Sequence, residues 1–428
     1  MALKLSWTRR RRYIIAFGLC VCVLRVVTAS AVESTAAVYQ VGFDQLLQSH
    51  QLQLDLHPND DKATPDGFDT KGNAAFSPWS YETICTDHLP RIQSKLCVYT
   101  DARFGNGRGI SIFTTPQHAR TVESLILSHV EDSDRSINVP SQAWYTETTP
   151  SKGVGMFAKK DLDPRDLITS YTPVLLAYKE NILSRDQRET FLRHAVTRLP
   201  AWARAAYGAL ATMSHDDAFL MQDVAAANSF EMSIDGTAHL AVVPEPSRIN
   251  HDCAPNAIFG ANSTILAHTV RATRVIAKDE EITIAYTNPL ERFAKRQKYL
   301  SDSFGFECTC SRCRRGESGD AALAEIASLQ QSLSRWSDPT SAASTKQAER
   351  LIQIHREEGL DGYLDPAYCL AALVYNSVGS ERGAKKYVNL CIQAIELRLG
   401  PGAEDLPKWR EMQRDVKGHW SWMRRKRG

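Results

Sequence analysis

The chain has 428 residues, with 51 Lys+Arg against 49 Asp+Glu and a formal net charge of +2. Hydrophobic residues at 43% and charged residues at 23% are ordinary for soluble globular domains, which excludes a collagenous, wholly disordered or multi-span membrane chain. The length allows two or three units with real cores, and the balanced charge argues against a protein that works mainly by coating nucleic acid. Ten cysteines are too few for a disulfide scaffold of this length, so their sorting becomes the main question.

Residues 1–31 read as a signal peptide. Arg9, Arg10, Arg11 and Arg12 form a basic start, 13–24 is an apolar run, and Ala29-Ser30-Ala31 offers a small-x-small cleavage site. The run is short for a bilayer span and Arg25 interrupts its extension. An uncleaved signal anchor over 14–27 stays open, as does a nuclear-import role for the arginines. Cys20 and Cys22 lie in the apolar run and leave with it. Residues 32–80 read as a linker rich in Pro, Gly, Asn and Asp beyond one amphipathic stretch.

From 81 to 143 the pattern predicts a β-hairpin and a helix: strands at 96–99 and 110–114 around a glycine-rich turn, then helical spacing over 118–130. Residues 144–300 hold short strands at 155–158, 167–171, 239–243, 257–259, 265–270 and 282–285, interrupted by an Ala-, Leu- and Arg-rich helical insert at 181–227. A cysteine-rich loop follows at 301–316. Residues 317–428 are helical, with apolar spacing at 321–333, 346–358, 366–378 and 383–399. The last two form a pair similar to a tetratricopeptide unit, without a clear repeat period. The fold class is α+β.

Three motifs carry chemistry. The first is Gly153-Val154-Gly155-Met156-Phe157-Ala158, where glycines let a backbone approach a ligand; Gly107-Arg108-Gly109 is a rival whose plain reading is a hairpin turn. The second is Arg248-Ile249-Asn250-His251-Asp252-Cys253-Ala254-Pro255-Asn256, with Pro255 and Asn256 as turn formers. The third is Glu280-Glu281-Ile282-Thr283-Ile284-Ala285-Tyr286, leading to Phe304-Gly305-Phe306-Glu307-Cys308-Thr309-Cys310-Ser311-Arg312-Cys313. Three thiols in one small loop suit zinc, which takes four ligands in a closed site, and Cys253 is the natural fourth. The alternative pairs two of these thiols as a disulfide.

Taken in order over about 144–313, the motifs resemble the SET-domain protein lysine methyltransferases. The nearest likeness is to fungal SET-domain proteins and to the split SET core of the SET-and-MYND group, whose Asn-Ser-Phe element is matched by Asn228-Ser229-Phe230. The resemblance implies a β-rich, pseudo-knotted core with a helical insert, a zinc-bound post-SET loop and a helical C-terminal region. It implies methyl transfer from S-adenosylmethionine to a protein lysine. Gly153 and Gly155 would line the cofactor pocket; Asn228, Asn250 and His251 would hold the cofactor's two ends, with the chain at Arg248 alongside. Tyr286 would be the catalytic tyrosine, and Phe306, with Phe304 as a further candidate, would wall the pocket. Cys253, Cys308, Cys310 and Cys313 would bind one structural zinc.

The chain departs from that pattern in places. Asp252 stands where the family often has Ser, and Lys278-Asp279 replaces a glycine-containing turn. No MYND finger exists, because 179–227 holds no cysteine, so the insert is expected to cover the substrate side. A catalytically idle SET scaffold that binds a partner is the competing reading. The basic runs at Arg314-Arg315 and Arg424-Arg425-Lys426-Arg427 are too short to indicate nucleic-acid binding, and nothing assigns an oligomeric state.

The signal points to secretion, with one sequon at Asn262-Ser263-Thr264, whereas zinc thiolates and this cofactor suit a reducing compartment. Two further cysteine pairs favour the oxidising route. Cys85 and Cys97 bracket a short loop, and Cys369 and Cys391 lie equally far from a turn near Ser380, so antiparallel helices would set them level. The plain reading of the second pair is two buried hydrophobes.

Overall fold

A computed structural model describes residues 76–131, 137–150, 152–214 and 216–425. The leader, Cys20, Cys22, most of the linker, Lys426 and Arg427 lie outside the described residues. Among the described residues, no helix is long and apolar enough to cross a membrane.

Strands β1 (Ile84–Cys85), β2 (Cys97–Asp101) and β3 (Ile110–Thr114) precede helix α1 (Pro116–Glu131). Next come β4 (Trp144–Thr149), β5 (Gly153–Ala158), β6 (Leu167–Tyr171) and β7 (Leu175–Tyr178). Helices α2 (Arg185–Thr197), α3 (Ala201–Gly208) and α4 (Leu220–Asn228) make up the insert. The strands resume with β8 (Ser229–Ile234), β9 (Thr237–Val242), β10 (Asn250–His251), β11 (Ala257–Asn262), β12 (Ala267–Ala272) and β13 (Glu281–Ile284). Helix α5 (Phe293–Phe304) and the cysteine loop lead to α6 (Asp320–Ser334), α7 (Thr345–Glu357), α8 (Asp365–Ser377), α9 (Glu381–Leu399) and α10 (Leu406–Arg414).

The strands form a six-stranded sheet β1-β2-β3-β7-β9-β8, a four-stranded sheet β10-β13-β5-β4 and a three-stranded sheet β11-β12-β6. The expected hairpin at 81–143 is not a separate unit, because β3 runs parallel to β7 in register Ser111↔Leu175 and joins the same sheet. Period-two alternation explains why all of β3 is buried. Ile110 and Ile112 face α1 with Val122 and Ile126, while Phe113 faces the insert and stacks 5.2 Å from Phe191. The expected turn is real, and Gly109 (φ +77) is required there, since a Cβ would sit 2.4 Å from Pro200.

The insert therefore lies on the six-stranded sheet, and its end at Ala227 and Asn228 reaches a pocket. Its first helix starts with a capping box, Ser184 accepting from the Gln187 N–H and Gln187 reaching back. The C-terminal helices surround one core in which α8 is buried on nearly every side. Cys85 faces Cys97 across the β1–β2 ladder, and Cys369 faces Cys391 between α8 and α9; both pairs lie at disulfide distance.

Candidate active site and metal centre

The second and third motifs meet because β10 runs parallel to β13, pairing Asn250 with Thr283 and His251 with Ile284. Asn256 sets that register from below. Its amide donates to Glu280 Oε1 (3.0 Å) and the Glu281 carbonyl (2.8 Å), and its Oδ1 accepts the Thr283 N–H (2.8 Å). This residue, expected as a turn former, is a buried strap on β13.

Tyr286 leaves β13 with its N–H donated to His251 Nδ1 (2.9 Å) and its hydroxyl donated to the Ile249 carbonyl (2.7 Å). Burial holds the phenol well above its ordinary range, so it stays protonated and keeps its donor. His251 therefore carries its proton on Nε2, which faces Cys253 Sγ at 3.3 Å, and burial pushes it down to about 4. Its ring is fully engaged within the protein. The cofactor contact expected of His251 would then be made by its backbone.

A pocket with about 430 Å³ of empty space, its mouth included, lies beside Tyr286 and is walled by Phe230, Ile249, Phe259, Ile284 and Phe304, with Asn228 at one end. Phe304 lies 4.9 Å from the Tyr286 ring. Phe306 does not line this pocket; it sits 6.1 Å from the His251 ring and is partly exposed. Asn228 donates its amide to the Ala211 and Val224 carbonyls (both 2.8 Å), which leaves Oδ1 as its remaining acceptor.

Gly155 lies next to Asn250. A Cβ on Gly155 would be 3.0 Å from Asn250 Nδ2 and 3.2 Å from Glu281 Oε1, and Gly153 has a φ of +71. Asn250 donates to Glu281 Oε1 (2.9 Å), whose other oxygen pairs with Lys152 (2.7 Å). Arg248 precedes Ile249 of the pocket wall. It is half-buried, desolvation lowers its pKa, and its guanidinium has no partner among the described residues.

Behind His251, the Sγ atoms of Cys253, Cys308, Cys310 and Cys313 all lie within 4.8 Å of one another, close enough to hold one metal ion. None is paired in a disulfide. Helix α5 ends at Gly305 (φ +70), which turns the chain into the loop, and Gln297 holds Cys308 by both backbone groups (2.8 and 2.9 Å). Mutual hydrogen bonding splits the thiols: that with Cys308 leads in holding Cys253 up, and that with Cys253 leads in holding Cys310 down.

Two buried guanidiniums flank the cluster. Arg296 of α5 places a nitrogen 4.0 Å from Cys313 Sγ and leaves Nε without a partner. Arg312 donates to the Cys253 and Pro289 carbonyls (2.7 and 2.9 Å) and to Glu358 (3.1 Å). Glu358 offsets the buried Arg312 charge, and Arg315, which shares that carboxylate, is exposed to solvent, so Arg296 is the buried positive charge left facing four sulfurs. Four neutral thiols would leave it uncompensated, whereas four thiolates around one divalent ion carry net negative charge that offsets it. The residues fit a metal.

Asn256, Gln297, Arg296 and Glu281 were not singled out by sequence for these roles. Arg296 and Gln297 had a usable signal, since they lie within the short helix that feeds the cysteine loop.

Residues 153–287 match the family model described as SET domain. Histone-lysine N-methyltransferase set5 of Schizosaccharomyces pombe is 28% identical over 179 residues, covering 40% of this chain and 56% of that protein. N-lysine methyltransferase SMYD2 of Homo sapiens is 31% identical over 133 residues, 31% of this chain and 28% of that protein. Histone-lysine N-methyltransferase SMYD3 of Homo sapiens is 39% identical over 75 residues, 18% of this chain and 17% of that protein. The matched segments thus span about half or less of these relatives. The chain thus carries a SET domain over residues 153–287, and around that segment it is similar to SET-domain lysine methyltransferases.

Proposed function

We propose that the protein transfers a methyl group from S-adenosylmethionine to a lysine side chain of another protein, with one structural Zn2+ in the Cys253–Cys308–Cys310–Cys313 cluster. The observation that carries the reading is the pocket in which Tyr286, anchored at both its N–H and its hydroxyl, meets three phenylalanines. The donor set fits the cofactor. Gly155 has no room for a side chain beside Asn250, Asn228 keeps one acceptor for an ammonium, and unpaired Arg248 suits a carboxylate.

The bound cofactor supplies an electrophilic methyl on a sulfonium. The chain's own residues do the rest. Phe230, Phe259 and Phe304 exclude water and disfavour a lysine's ammonium form, leaving the amine neutral for attack. The Tyr286 hydroxyl and the Ile249 carbonyl orient polar groups at the pocket's wall. Alignment of amine and methyl supplies most of the rate advantage, and the proton is lost to water. Zinc would add no chemistry; it would close the cysteine loop against His251. The leader and the two cysteine pairs at disulfide distance support passage through the secretory route.

The test is calorimetry with S-adenosylmethionine on wild type and Asn250→Ala, followed by radiolabelled methyl transfer with Tyr286→Phe and Tyr286→Ala. Saturable binding weakened in Asn250→Ala, and transfer lost in Tyr286→Ala, are expected. Binding that is absent, or unaffected by the Asn250 change, refutes the reading.

A further inference from the structure

Glu358 lies just past α7, far along the chain from either motif, yet it is almost fully buried against the cysteine loop. It accepts from Arg312 Nε (3.1 Å) and from both terminal nitrogens of Arg315 (2.9 and 2.5 Å). The chain around it is fitted to the core. A Cβ on Gly359 (φ +66) would be 2.8 Å from Ala254, and one on Gly362 would be 2.9 Å from Thr273. The helical region therefore sits flush on the segment that follows Cys253.

Arg312 is the other half of the contact. One of its nitrogens donates to two carbonyls, Cys253 (2.7 Å) and Pro289 (2.9 Å). Cys253 is two residues past His251, and Pro289 is three past Tyr286. The two segments also meet through the β10–β13 pairing, the Tyr286 N–H on His251 Nδ1 (2.9 Å), the Tyr286 hydroxyl on the Ile249 carbonyl (2.7 Å) and the Asp252 N–H on the Ile284 carbonyl (3.0 Å). A guanidinium is a rigid planar fork, so fixing its Nε fixes where its other nitrogens point. Glu358 fixes that Nε.

We infer that Glu358 is a positioning residue for the methyl-transfer site: acting through Arg312, the C-terminal helical region holds the His251 and Tyr286 segments in register. Glu358 touches neither pocket nor cysteine cluster. Without its carboxylate, Arg312 keeps its burial but loses its counter-charge and its orientation. The role in catalysis rests on the methyltransferase reading; the role in holding the two segments does not.

The experiment separates the two. Hydrogen exchange is followed by mass spectrometry on wild type, Glu358→Gln and Arg315→Met, each full length and metal-loaded, alongside calorimetry and methyl transfer. In Glu358→Gln, the peptides around 249–254 and 284–290 should exchange at least about tenfold faster, with β2 and β3 unchanged. Its kcat should fall about ten- to a hundredfold with the cofactor Kd within about threefold, since misplacement by about an ångström costs that much. Arg315→Met should keep wild-type exchange, because Arg312 is still held.

Unchanged exchange in Glu358→Gln, or equal acceleration in Arg315→Met, overturns the inference. If Glu358→Gln does not fold, Arg312→Lys, which keeps the charge but loses the fork, must give the same acceleration. A wild type that transfers no methyl defeats the proposed function, while the exchange result still decides the positioning role.

Discussion

Replacing Arg296 by Met tests whether the cysteine cluster is a charged metal site. Arg296 is buried, its guanidinium comes within 4.0 Å of Cys313 Sγ, and its Nε has no partner. At that separation and an effective dielectric near 20, a unit charge pair is worth about 4 kcal/mol before desolvation is subtracted. Burying the guanidinium offsets much of that, leaving a net of about 1.4–2.8 kcal/mol, or about ten- to a hundredfold in metal affinity, the range typical of groups outside the ligand set. Met preserves length and apolar packing but removes the charge. Competition with a chromophoric chelator gives the zinc Kd, and the absorption of a cobalt-substituted sample shows whether four thiolates still bind. Arg314→Met is the control: Arg314 is in the same loop but exposed, so solvent screens it. Equal zinc affinity in wild type and folded Arg296→Met would refute the charge-balance argument.

Burial holds His239 at about 4 and His268 at about 3, against an ordinary value near 6.5. The unfolded chain therefore binds more protons between those values, and stability falls as pH drops below 6.5, by about 2 kcal/mol per histidine at pH 5. His268 has both ring nitrogens unpartnered and packs on Phe230 and Phe259, so His268→Phe should remove one such share of the acid sensitivity in urea titrations at pH 5 and 7; an unaltered difference between the two pH values would contradict this. Asn256→Ala leaves the buried Thr283 N–H unpaired and should cost about 2–3 kcal/mol by urea denaturation, where less than about 0.5 would remove Asn256 from its strapping role.

Much of the architecture is legible because alternation and helical spacing coincide with burial. Strands at 167–171 and 110–114 and the helices from 320 to 399 fall within a residue or two of the pattern. β8 carries clean alternation, with Phe230, Met232 and Ile234 inward, but follows directly on α4 and merges with the insert. β7 is four residues of apolar run, too short to distinguish from helix, and β4 is a polar edge strand. In the site, motif residues are readable because their type is chemically constrained, while their supports are not. Nothing local to Glu358 or Arg108 shows that one reaches Arg312 and the other Glu245, since such pairs exist only after distant segments pack.

The cysteines make one demand that neither the metal site nor the disulfide-distance pairs make alone. Eight described cysteines fall into two sets in one chain: Cys85 with Cys97 and Cys369 with Cys391 at disulfide distance, and four clustered free thiols. Cys253 and Cys313 Sγ are 3.5 Å apart, so an oxidant acting before metal arrives can join thiols within the cluster, whereas thiolates bound to zinc are withheld from exchange. On the proposed zinc reading, metal loading therefore precedes or accompanies oxidation. Refolding reduced protein with glutathione buffer and zinc should yield exactly the pairs Cys85–Cys97 and Cys369–Cys391 by non-reducing peptide mapping, with four thiols freed on unfolding. Refolding with a chelator instead should give fewer free thiols and disulfides within the cluster. The closed loops of the two native pairs correspond to about 3 kcal/mol each in the chain-entropy account, so selective reduction should lower stability by that order. Four intact cluster thiols after oxidation without metal would show that burial alone protects them, and the proposed metal site would lose its part in the maturation of this fold.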